Sequence, residues 1–129
     1  MPISSPEKTL IDCLDRPELA GGATELTRIV HSGLPEIDPH SLLTAASTMK
    51  SQALLQRLGF LSDLVDRPLP SDVRQKIRQS IPKSYRSHFG RAEFRDGDMG
   101  YVAAWGLAVH ARESDLLAEV PRIRPQKVA

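Results

Sequence analysis

The sequence predicts a mainly α fold of the α+β class: about five helices, a small antiparallel β element and a short C-terminal helix. Three observations carry that prediction. Apolar residues recur at helical spacing from Leu10 to about Ile81. Ser-Pro, Asp-Pro and Gly-Gly signals cut this run into helix-length pieces. The texture then changes: Arg86–Gly100 is polar and turn-rich, with "RDGDMG" its strongest turn signal. After it, Trp105, Leu107 and Val109 alternate with Gly106, Ala108 and His110 as in a half-buried strand.

The first helix opens at Ser5-Pro6. Serine can cap free N–H groups, and proline at the first helical position loses no hydrogen bond there. Glu7 suits the positive end of the helix dipole. Leu10, Ile11, Cys13 and Leu14 form the apolar stripe, with Asp12 and Asp15 off it. Pro17 stops the helix at Asp15–Arg16, and Gly21-Gly22 closes the unit. A second helix fits Ala23–His31. A third opens with Asp38 as cap before Pro39 and runs to about Met49. "SQALLQRLGFLSDLV" is a fourth, with Leu54, Leu55, Leu58, Leu61, Leu64 and Val65 inward. Gly59 in its middle costs about 1 kcal/mol against alanine, which points to close helix packing. Ser71 or Asp72 should cap a fifth helix ending near Ile81, before Pro82. The strand at Trp105–Val109 needs a partner for its backbone groups. A hairpin strand near Arg91–Phe94, or the sheet edge of a second copy, would supply it. "ESDLLAEV" reads as a closing helix.

At 129 residues the chain is expected to form one domain over 1–120, with a loose tail at 121–129. Aromatic residues are only 5%, so the core must be built from Leu, Ile, Val and Ala. Cys13 is the only cysteine, so no internal disulfide can form, which fits a reducing cytoplasm. No signal peptide is expected from "MPISSPEK". The longest apolar run, Tyr101–Val109, is too short to cross a bilayer, so no membrane contact is expected.

No catalytic, cofactor or metal constellation emerges. His31, His40, His88 and His110 stand at no ligand spacing to one another or to Cys13. His110 lies on the small-residue face of the strand, as a satisfied or surface histidine. Cys13 on an apolar stripe reads as a small buried hydrophobe rather than a nucleophile. Asp12 and Asp15 read as partners of Lys8 or Arg16 rather than as a carboxylate site. "GDMGYVAAWG" has the wrong glycine spacing for a phosphate loop.

Charge is the one lead. Overall it is +1, but residues 67–95 hold eight basic and two acidic side chains, whereas residues 1–66 hold five and nine. Arg74 and Arg78 share a helical face. Lys83, Arg86, Arg91 and Arg95 follow, interleaved with Tyr85 and Phe89. Such a block suits nucleic acid or another acidic partner, and should then form one exposed surface. The plainer reading is a solvated basic helix and loop. At +1, strong autonomous DNA binding is not implied.

"SPEKTLIDCLDRPELAGG", with the later "RLGFLSDLV" and "AAWGLAVHA", resembles the C-terminal region of the AbiEi-family antitoxins. The resemblance covers most of Ser4–Leu117, and its marker residues are Ser5, Pro6, Glu7, Asp12, Asp15 and Arg16. It implies a non-enzymatic antitoxin or transcriptional-regulator domain of an abortive-infection system. The implied partner is a nucleotidyltransferase-like toxin of the AbiEii family. Family members carry a winged helix that binds DNA ahead of this region, and there is no room for one before Ser4. The expectation is therefore a short relative, an excised fragment or a truncated frame, with weak DNA contact, as a monomer or homodimer. No DNA-reading residue carries over.

Overall fold

The computed structural model describes residues 6–82, 87–91 and 93–120. Five helices come first: α1 (Pro6–Asp15), α2 (Ala23–Gly33), α3 (Pro39–Thr48), α4 (Gln52–Leu64) and α5 (Ser71–Ser80). Strands β1 (Ser87–Gly90), β2 (Gly100–Val102) and β3 (Leu107–His110) follow, and the short α6 (Glu113–Leu116) closes the series. Short 3-10 turns at Pro17–Ala20 and Leu34–Glu36 flank α2. The α+β prediction holds in class and in order.

The helices form for the reasons their sequences give. In α1, Leu10, Ile11, Cys13 and Leu14 are all buried, as their spacing requires. Ser5, the expected cap, lies outside the described residues. The Asp38 carboxylate accepts the Ser41 N–H at 2.9 Å and starts α3. Ser51 does the same for α4 through the Leu54 N–H at 3.2 Å. Gly21, at φ +99°, turns the chain between the first 3-10 turn and α2.

Helix α4 is the centre of the molecule. Its expected face is buried except for Leu64, which is half-buried. Gln56, Gly59, Phe60 and Ser62 are buried as well, so almost the whole circumference is enclosed. Two expectations for α4 and α5 need correction. Gly59 does not mark a helix crossing: it faces the ring of Trp105, and a side chain there would intrude on that ring. Neither Ser71 nor Asp72 caps α5. The N-cap is Pro70, with no side-chain cap, and the Asp72 carboxylate instead pairs with His40 Nε2 at 2.6 Å. That pairing ties the start of α5 to α3.

The sheet departs most from expectation. Its order is β1-β3-β2, with β3 in the middle. β2 pairs with β3 antiparallel and β1 pairs with it parallel, so the sheet is mixed rather than purely antiparallel. The strand starts at Leu107, and Trp105 belongs to the turn before it, where its N–H reaches Val102 O at 3.2 Å. The hairpin partner is Gly100–Val102, not Arg91–Phe94. The positive φ of Gly90 (+102°) turns the chain at the end of β1. The predicted alternation survives: Leu107 and Val109 are buried against the helical layer, and Ala108 and His110 are half-buried. Pairing within the chain meets the need that a second copy would have met.

Gln56 fastens the two layers. Its Nε2 donates to Trp105 O at 2.8 Å and Gly106 O at 2.9 Å, and its Oε1 accepts from Ser87 Oγ at 2.6 Å. One fully buried amide on α4 therefore holds both the turn before β3 and the start of β1.

Candidate anion-binding cleft

Helix α5 buries Val73 and Ile77 and turns Arg74 and Arg78, one turn apart, to the side that faces the β2–β3 turn. In that turn, Gly106 takes φ +64° beside Trp105, whose side chain is 2% exposed. The Trp105 ring packs on the bare backbone of Gly59. The Arg74 guanidinium carbon lies 5.1 Å from the Trp105 ring centroid and that of Arg78 lies 6.0 Å from it. Both are within the range of cation–π attraction.

Asp63 organises this stack. One carboxylate oxygen accepts the Trp105 Nε1–H at 3.1 Å, and the other accepts Arg74 Nη1–H. Arg74 is thus neutralised and fixed in place. Arg78 is exposed, and among the described residues no carboxylate lies within ion-pair distance of it. The stack forms one side of a cleft of about 770 Å³, whose lining includes Arg74, Gln75, Arg78, Gln79, Tyr101 and Trp105. No described acidic residue lines it. Tyr101 on β2, 50% exposed, also lines the cleft.

The other described basic residues of the block do not line this cleft. Lys83 and Arg86 lie outside the described residues, as does Tyr85. Arg91 makes a two-pronged ion pair with Asp98, at 2.5 and 3.2 Å, and Asp98 also accepts the Arg95 backbone N–H at 2.7 Å. The Arg91 hydrogen bond is the main reason that the Asp98 carboxyl titrates below its ordinary range. Arg91 lines a different cleft, beside His88 and His110, and the two clefts share no residue. Arg67 turns toward His31, with Nη2 at 3.4 Å from Nε2. Of the described residues of the expected surface, this cleft brings together Arg74 and Arg78; Arg91 lines the other cleft, and Arg95 is exposed and lines neither.

The resemblance residues make local contacts where contacts are described. Asp12 pairs with Lys8 at 3.2 Å, and Arg16 lies 3.8 Å from Glu18. The Asp15 backbone carbonyl accepts from Arg57 Nη1 at 3.1 Å. Glu7 stands in the first turn of α1 after Pro6. Cys13 is buried, and that burial, with Asp12 second, pushes its thiol pKa up and away from nucleophilic chemistry. His31 is buried and its pKa is lowered, first by burial and then by Arg67. His110 Nδ1 bonds to Arg91 O at 3.0 Å, and its ring meets His88 edge to face. Among the described residues, no three His, Cys, Asp or Glu side chains converge to hold a metal ion. No described helix is long and apolar enough to cross a membrane.

Sequence reasoning missed Asp63 and Gln56. The signal for both was a polar residue in a helix that is apolar on nearly every side. It also read Trp105 as the start of a strand, not as the platform of a site. Compared with protein-family models, with curated proteins and with solved structures, the chain gives no match in any of the three.

Proposed function

We propose that this chain acts by binding, without catalysis of its own, as an antitoxin or transcriptional-regulator domain. Its recognition surface is the Arg74–Trp105–Arg78 cleft, and it takes an anionic group of the partner. The observation that carries this reading is the charge of the cleft: two stacked guanidiniums, one with no described carboxylate opposite it, and no acidic lining residue among those described. The partner class, a nucleotidyltransferase-like toxin, rests on the sequence resemblance alone.

The test is neutralisation. The nucleotidyltransferase-like product of a reading frame adjoining the source gene is co-expressed with this chain and with Arg78→Glu. The expected result is co-purification and restored growth with the wild type, both weakened by the charge reversal. Failure of the wild type to restore growth removes the antitoxin role. Full neutralisation by Arg78→Glu removes the cleft from it. The rival reading, a nucleic-acid module spread over residues 67–95, is narrowed by the engagement of Arg67 with His31 and of Arg91 with Asp98.

A further inference from the structure

We infer that the anionic group for which the cleft is built is a nucleotide, either free or as one unit of a single strand; this rests on the reading of the cleft as the recognition surface. Four features converge on that ligand. First, Arg78 is an exposed residue with its guanidinium carbon 6.0 Å from the buried Trp105 ring, and a guanidinium suits a two-point grip on a phosphate. Second, Asp63 and Trp105 fix Arg74 beside it, so the wall next to Arg78 is ordered before any ligand arrives. Third, Tyr101 offers a half-exposed aromatic ring in the same cleft, a surface on which any base can stack.

The fourth feature separates a nucleotide from an acidic peptide. Gln75 and Gln79, exposed and one turn apart on α5, line the cleft next to the two arginines. Each amide offers donors and an acceptor, as the edge of a base does. A wall made for several carboxylates would carry further cations at those positions. The volume, about 770 Å³, falls within the range of small-ligand pockets and leaves room for a phosphate, a sugar and a base. Duplex DNA is a poor fit, because its bases are already stacked on each other.

Trp105 is the only tryptophan, so its fluorescence reports on this cleft. The full chain is titrated by calorimetry and fluorescence with adenosine monophosphate, an eight-nucleotide single strand, the matching duplex, inorganic phosphate and an oligoglutamate peptide. The nucleotide or the single strand should bind more tightly than phosphate, duplex or peptide. Tyr101→Ala should weaken that binding about tenfold, through lost stacking. Arg78→Ala should weaken it about tenfold or more, through a lost charge-assisted contact. Tyr101→Phe should retain it, Arg78→Ala should leave the unfolding midpoint in place, and each variant is titrated well below its own midpoint. Equal affinity for monophosphate and strand assigns the free nucleotide, and a clear preference for the strand assigns single-stranded nucleic acid. Peptide binding equal to or tighter than nucleotide binding, with Tyr101→Ala neutral, overturns the nucleotide and leaves the cleft as a recognition surface. No binding by any probe also overturns this inference, and the wider reading is then decided by Arg78→Glu alone.

Discussion

Replacing Gly59 by alanine sets two physical effects against each other. Helix propensity alone favours the substitution by about 1 kcal/mol at a position inside a helix. Packing opposes it. An added methyl would meet three atoms of the Trp105 six-membered ring, and that ring has little freedom to retreat. Its Nε1–H is bonded to Asp63, Arg74 and Arg78 lie over it, and its carbonyl is held by Gln56. Overpacking of a closed core costs about 1–3 kcal/mol, and the rigidity here places this site near the upper end. The net expectation is a loss of about 2 kcal/mol, propensity against overpacking. Gly33→Ala is the control: it lies at the end of α2 with nothing within 4 Å of a new methyl and no positive φ, so it should gain up to about 1 kcal/mol. Urea unfolding of both variants, followed by Trp105 fluorescence and by circular dichroism, measures the contrast. A Gly59→Ala midpoint at or above wild type would refute the packing of Trp105 on α4.

Three further outcomes follow from the same structure. Leu14→Ala, at a fully buried position on α1, should cost about 2–5 kcal/mol in denaturant unfolding, and an unchanged midpoint would put the stripe on the wrong face. Gln56→Leu keeps the volume but takes the side-chain donor from the buried Trp105 carbonyl and the acceptor from Ser87 Oγ, while Gly106 O keeps the Ser87 N–H, so it should cost about 1–3 kcal/mol, and a neutral result would show that the amide is not the fastener. His31 titrates lower when folded than when unfolded, because of burial and then Arg67. The unfolded chain therefore binds more protons as pH drops below about 6.5. The stability tied to neutral His31 is complete above that pH and is lost as pH falls through the folded value. His31→Gln should flatten this part of the stability–pH curve, and identical slopes would sink the assignment.

The helical part was legible because its signals are local. The stripe of Leu10, Ile11, Cys13 and Leu14 needs only helical spacing, and the Asp38 cap needs only its neighbour Pro39. The sheet was less legible because half of it is short and polar. Ser87–Gly90 offers one buried side chain, Phe89, and becomes a strand only because β3 runs beside it. No local pattern announces a four-residue parallel partner. Ser71 and Asp72 looked like caps by residue type, but His40, distant in sequence, claims the Asp72 carboxylate. The basic block was visible as composition. That Arg67 turns to His31 and Arg91 to Asp98 depended on where those partners lie, which spacing does not reveal.

Asp63 links the core to the cleft, with a consequence for how the site can change. Its two oxygens hold one buried ring and one cation, so its loss would leave Trp105 Nε1–H without that acceptor and free Arg74 to swing. A substitution there must alter stability and recognition together. Arg78 is different: it touches the ring only through its guanidinium and supports nothing beneath. Its removal should change binding and spare the fold. The cleft thus has a rigid half, shared with the core, and a replaceable half on the outer turn of α5. Ligand preference could drift through Arg78, Gln75 and Gln79 while Asp63, Trp105 and Gly59 stay constrained by packing.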